Sequence, residues 1–135
     1  MDFHYIYTRL NVENFPACKA FYRDVLGLPV QFEDDMDEYV EFKTGGTRLS
    51  LFNREKLTDY VSRSEPLSYD AHSARVVISF EVSNMDEAIA HLEKHGVELV
   101  SQPTNFPDQG FVSACFRDPD GNLVELEQMT DVVIS

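Results

Sequence analysis

The sequence contains no tryptophan and only two cysteines, Cys18 and Cys115, among 135 residues. Neither forms a Cys-x-x-Cys pair or stands at zinc-finger spacing from a histidine, so neither a disulfide framework nor a structural zinc site is indicated. Basic residues are scarce: 11 Lys and Arg against 24 Asp and Glu leave a formal charge of −13. A field of that sign repels phosphate backbones and argues against nucleic acid as a partner. No apolar run is long enough to span a bilayer, and Met1-Asp2-Phe3-His4 lacks the basic-then-apolar order of a signal peptide. A cytoplasmic protein with no membrane association is the expectation. The sequence also lacks a Gly-x-Ser-x-Gly elbow, a phosphate-cradling glycine loop and a cysteine beside a histidine, so it offers no nucleophilic constellation.

What is present is a globular composition, 43% hydrophobic with ten Phe, in which one pattern is written twice. Tyr5 to Val12 alternates, with Ile6, Thr8, Leu10 and Val12 on one face and Tyr5, Tyr7, Arg9 and Asn11 on the other. Asn14 suits an N-cap with Pro16 in the first turn. The helix that follows is expected to bury Ala17, Ala20, Phe21 and Leu26 and to stop at Gly27. Strands are expected over Leu28–Phe32, Tyr39–Lys43 and Arg48–Asn53, separated by the acidic turn at Glu33-Asp34-Asp35 and by Gly45-Gly46. The same order then recurs. Arg75 to Val82 alternates, Asn84 or Ser83 caps a helix with the stripe Met85, Ala88, Ile89 and Leu92, and Gly96 ends it. Val97–Val100, Phe111–Arg117 and Asn122–Gln128 complete the repeat. A duplicated unit that cannot close a core alone implies that two βαβββ modules, 4–56 and 74–129, pair within a single 1–135 domain of α+β class. Residues 57–73, with Ser62, Ser64, Pro66 and Ser68, read as a linker long enough to act as an arm or lid.

The strongest local feature is Asp118-Pro119-Asp120-Gly121, followed by Asn122-Leu123-Val124-Glu125-Leu126. Pro119 presets the first corner of a tight turn and Gly121 supplies a positive φ, so a hairpin presents Glu125 on a sheet face. Together with the helix end Phe21-Tyr22-Arg23-Asp24-Val25-Leu26-Gly27-Leu28, this hairpin resembles the vicinal-oxygen-chelate superfamily of glyoxalase I, bleomycin-resistance proteins and extradiol dioxygenases. The resemblance runs from Tyr7 to Glu127. It implies a curved mixed sheet with helices outside and a ligand cup on the uncovered faces.

Members with enzymatic activity hold a divalent metal on the cup floor, and the resemblance places the four ligand positions at Tyr7, Ser50, Val77 and Glu125. Only Glu125 is a good ligand, so no metal and no other cofactor is expected. His91 and His95, spaced i, i+4 near a helix C-terminus, complement the helix dipole more readily than they hold an ion without a third donor. His4 and His72 lie elsewhere.

Strand parity assigns Tyr5, Tyr7, Arg9, Asn11, Arg48, Ser50 and Phe52 to the open face of the first module. It assigns Val77, Ser79, Glu81, Glu125 and Glu127 to that of the second. Aromatic rings, hydroxyls and charges of both signs suit a polar organic ligand. The alternative is that Arg9, Arg48, Glu81 and Glu127 pair across the sheets and the rings close an interior.

By resemblance, the expected function is metal-independent sequestration of a small organic molecule, in drug or toxic-metabolite resistance, by a homodimer. The alternative is a glyoxalase-type lyase, isomerase or dioxygenase in which Glu125 is catalytic, its pKa raised toward neutrality by burial. A scaffold with a filled cup is the third possibility.

Overall fold

The opening alternation forms strand β1 only over Thr8–Val12. Tyr5 and Tyr7, expected inside the strand, precede it and are half exposed. The computed structural model describes residues 1–59 and 67–130, and its chain divides into two units, Met1–Tyr69 and Asp70–Ser135.

In the first unit, helix α1 (Phe15–Ala20) starts where Asn14 Oδ1 accepts from the amide of Ala17 at 3.1 Å, as an N-cap should. It runs on through a wider π-type turn, Phe21–Val25, closed by Leu26 N donating to Phe21 O at 3.0 Å. Gly27, at φ +73, then reverses the chain. The buried stripe is Phe15, Cys18, Phe21 and Tyr22 rather than the expected Ala17, Ala20, Phe21 and Leu26. Large rings at Phe15 and Tyr22 take the core-facing positions, and the two alanines are left half-buried at the margin.

Strands β2 (Val30–Asp34), β3 (Tyr39–Lys43) and β4 (Arg48–Asn53) complete a sheet of order β1-β4-β3-β2, with β1 parallel to β4 and the other pairs antiparallel. Leu49, Leu51, Val40 and Phe42 alternate into the core with Val12. Full burial of a side chain such as Leu51 or Phe42 stabilises by roughly 1.5–3 kcal/mol. A 3-10 helical run, Arg54–Asp59, follows β4 and takes in residues 57–59, which were expected to be linker. The middle of that linker, 60–66, lies outside the described residues.

The second unit repeats the topology: β5 (Val77–Glu81), α2 (Met85–Lys94), β6 (Leu99–Phe106), β7 (Phe111–Arg117) and β8 (Leu123–Met129) in the order β5-β8-β7-β6. Again the first strand runs parallel to the last. Asn84 caps α2 by accepting from Glu87 N at 3.0 Å, and Asp86 and Glu87 in the first turn complement the helix dipole. Met85 and Leu92 are buried, as are Ala114, Phe116, Val124 and Leu126 from the sheet. Strand β6 begins later and runs longer than the expected Val97–Val100. Its register shifts twice, between Leu99 and Ser101 and between Ser101 and Thr104, and it carries Pro103, which only an edge strand tolerates well.

The hairpin turn is held by one buried carboxylate. Asp118 Oδ1 accepts from the amides of Asp120 (2.9 Å) and Asn122 (2.8 Å), and Oδ2 accepts from Asn122 Nδ2 at 2.9 Å. Gly121 sits at φ +91, and a Cβ there would lie 2.0 Å from the carbonyl oxygen of Ala71. Beside it, the Arg117 guanidinium donates to the carbonyls of Ser73 (2.8 Å), Gly121 (2.9 Å) and His72 (3.2 Å). The segment before β5 is thereby fastened onto the turn.

Candidate functional site

In the first unit, the face opposite the core carries the predicted set. Register pairs Arg9 with Ser50 and Asn11 with Phe52 across β1 and β4, and Glu41 with Ser50 across β3 and β4. Arg9, Asn11, Arg48, Ser50 and Phe52 therefore share one face. Tyr5 and Tyr7 lie outside the strand, with ring centroids 6.1 Å apart. The Arg9 guanidinium lies 5.3 Å from the Phe52 ring centre, and that of Arg48 lies 5.6 Å from the Tyr5 ring centre. Arg48 also reaches Glu41 Oε2 at 3.4 Å.

Sequence reasoning missed three residues that β3 adds to this face, Tyr39, Glu41 and Lys43. The Tyr39 hydroxyl donates to Glu41 Oε1 at 2.7 Å. Burial, and then this bond to a carboxylate, push the phenol up to about 12. The alternation of Tyr39–Lys43 itself placed all three residues opposite Val40 and Phe42, so the signal was present in the sequence.

Two polar atoms on this face are buried without a hydrogen bond to any described residue: Ser50 Oγ, in a residue with no exposed surface, and Asn11 Oδ1. The Ser50 hydroxyl is close enough to the Tyr39 phenol to oppose the rise in its pKa slightly, but the two do not form a well-directed bond.

In the second unit, Val77, Ser79, Glu125 and Glu127 share a face, with Ser79 paired to Glu125 and Glu81 to Glu127. Ser79 Oγ donates to Glu125 Oε1 at 2.9 Å and Ser113 Oγ donates to Oε2 at 2.7 Å, so both carboxylate oxygens are occupied. Burial acts to raise the Glu125 pKa, but the bonds from Ser113, Ser79 and the neighbouring Glu127 together outweigh it and hold the carboxyl below its ordinary value. The expected upward shift is therefore reversed. Glu127 is shifted the other way, its pKa raised first by its bond to Glu125. Ser113 was not foreseen as a site residue, although the alternation of Phe111–Arg117 puts it on this face. Val77 is partly exposed and contributes only hydrocarbon.

These donors do not fit a divalent metal. Of the four ligand positions expected from the resemblance, Tyr7 is a half-exposed phenol, Ser50 a hydroxyl and Val77 an alkyl group, and the carboxylate of Glu125 is engaged by two serines. Among the described residues no three His, Cys, Asp or Glu side chains gather in ion-binding geometry. His91 and His95 do meet, with ring centroids 4.6 Å apart, on the exposed side of α2.

Two topologically identical βαβββ units, the first with a polar and aromatic face and the second with a serine- and glutamate-bearing one, define a glyoxalase-type fold. A model of the Glyoxalase/Bleomycin resistance protein/Dioxygenase superfamily matches residues 4–126, and the chain belongs to that superfamily. "Uncharacterized protein YraH" of Bacillus subtilis (strain 168) is 31% identical over 121 residues, covering 90% of this chain and 94% of the relative. A lactoylglutathione lyase from Agrobacterium tumefaciens has the same fold, with a TM-score of 0.70 and 26% identity over 93% of this chain and 92% of its own. TnmS3, an antibiotic binding protein from Streptomyces sp. CB03234, gives a TM-score of 0.70 at 21% identity, over 96% of this chain and 99% of its own. Among the described residues no helix is long and apolar enough to cross a membrane.

Proposed function

We propose that the protein binds a small organic molecule without a metal, holding it against the polar face of the first unit's sheet, in the manner of a drug- or toxic-metabolite-sequestering protein. The observation that carries this reading is the pair of buried, unpartnered acceptors, Ser50 Oγ and Asn11 Oδ1, on a face that also bears exposed tyrosine rings. Leaving a buried polar atom unpaired costs about 1–3 kcal/mol. A ligand group that reaches these atoms once the side chains covering them move aside would remove that cost. The arginine–aromatic pairs of the same face, Arg9 with Phe52 and Arg48 with Tyr5, offer flat contact area and fixed charge. The fold shared with an antibiotic binding protein is consistent with this use.

The test is a thermal-shift screen of neutral, cationic and anionic aromatic compounds in chelator-treated buffer. A ligand of the native state raises the melting point with dose, since binding adds RT ln(1 + [L]/Kd) to stability. A shift that appears only after a divalent metal is added would contradict the reading, as would a library with no hits.

The lyase or isomerase alternative, prompted by the likeness to a lactoylglutathione lyase, draws less support. A Glu125 held ionised by two serines is a poor general acid and a weakened base. The reading extends to assembly and location. The edge strands β2 and β6 expose Val30, Phe32, Val100 and Phe106, which a homodimer would cover. Neither cysteine is in a disulfide, which suits the reducing cytoplasm.

A further inference from the structure

At the turn between β3 and β4, a depression of about 420 Å³ opens beside Tyr5 and Gln31, between Lys43 and Arg48. The turn residues Gly45, Gly46 and Thr47 also line it. In a chain of net charge −13, both ionisable side chains that carry charge at neutral pH in this depression are cations, and no carboxylate lines it. Lys43 forms no ion pair with any described residue. Arg48 meets a carboxylate only at 3.4 Å, which leaves most of its five-donor fork uncommitted. The amides of Gly45 and Gly46 make no hydrogen bond to a described residue. The space where side chains would project from either glycine is also empty within 4 Å, so the backbone can be approached closely. The Tyr5 ring under Arg48 adds a flat apolar wall.

We propose that this depression is an anion subsite, taking the carboxylate or phosphate of a small organic molecule whose ring lies against Tyr5. Lys43 supplies the charge, Arg48 a planar two-pronged donor, and the glycine amides the remaining hydrogen bonds. Against the overall negative charge, a local pair of cations fixes which end of a ligand can enter here. The inference rests on the small-molecule reading in that Tyr5 and Arg48 belong to both.

The experiment is an amide NMR titration with inorganic phosphate, benzoate and benzamide. Phosphate and benzoate are expected to move the Gly45, Gly46 and Thr47 resonances saturably, and benzamide is not. Lys43→Gln should weaken both anions about tenfold, the loss expected for one charge-assisted hydrogen bond. Lys94→Gln, which makes the same charge change on α2, should leave them unaltered. Turn resonances that stay still up to about 10 mM anion, or that respond equally to benzamide, would overturn the subsite, as would equal weakening by Lys94→Gln. If phosphate moves the turn while no organic compound moves Ser50 or Phe52, the subsite stands and the small-molecule reading fails. The reverse pattern removes the subsite alone.

Discussion

Ser113 holds Glu125 across two antiparallel strands, its Oγ donating to the carboxylate at 2.7 Å, so that hydrogen bonding overrides burial in setting the charge of that side chain. Because the folded pKa of Glu125 is depressed, its contribution to stability is present above the ordinary carboxylate pKa and is lost as pH falls through the folded value. Ser113→Ala should cost about 1 kcal/mol near neutrality and much less in acid, below both carboxylate pKa values. Urea unfolding at the two pH values measures this. An equal cost at both would show that the serine acts by packing alone. Carboxyl NMR should also show the Glu125 pKa moving upward in the variant.

Tyr39 carries the opposite sign. Its phenol is pushed up to about 12, so the neutral form stabilises the fold below the ordinary tyrosine pKa, and that contribution is lost as pH rises through the folded value. In Glu41→Gln the carboxylate acceptor is gone, and the Tyr39 pKa should fall while burial keeps it above the ordinary value. Ring resonances followed through an alkaline titration report this directly, and an unchanged Tyr39 would contradict the assigned cause.

Gly121 is constrained twice, by φ +91 and by the Ala71 carbonyl that a Cβ would strike at 2.0 Å. Gly121→Ala should destabilise by about 2 kcal/mol or more. Gly46→Ala, with open space around it and no positive φ, should stay within about 0.5 kcal/mol of the wild type. Chemical denaturation of both variants tests the comparison, and equal costs would remove the close approach as an explanation.

The exposed apolar side chains of the edge strands motivate the dimer. Sedimentation velocity at tens of micromolar, an order-of-magnitude working range, should show a species of twice the chain mass, 15.5 kDa. Phe32→Glu together with Val100→Glu should shift it toward the monomer. A wild-type monomer under these conditions would refute the assembly.

The sequence revealed β3, β4 and β7 to the residue, because each alternates hydrophobic and polar side chains between clear turn signals. Strand β6 was misjudged because Ser101-Gln102-Pro103-Thr104-Asn105 is polar, exposed and bulged, and only pairing with β7 makes it a strand. The beginning of β1 was misplaced for the converse reason: Tyr5-Ile6-Tyr7 alternates, yet β4 begins at Arg48 and offers Thr8 its first partner, Leu49. Parity placed Arg9, Asn11, Ser50 and Phe52 on one face and Ser79, Glu125 and Glu127 on another, but Tyr39, Glu41, Lys43 and Ser113 were overlooked. It could not show that Ser79 and Ser113 both reach Glu125, since that depends on the register of three strands, and so the direction of the Glu125 shift was inverted.

The central claim, that a ligand meets the buried acceptors of the first sheet, is tested most directly by Ser50→Ala. Calorimetric titration with the strongest hit of the thermal-shift screen should show binding weakened about five- to thirtyfold, equivalent to about 1–2 kcal/mol. The free variant should unfold no more easily than the wild type, because a buried hydroxyl without a partner has been removed. Unchanged affinity with a loss of more than about 1 kcal/mol in stability would contradict the claim and make this face part of a closed interior.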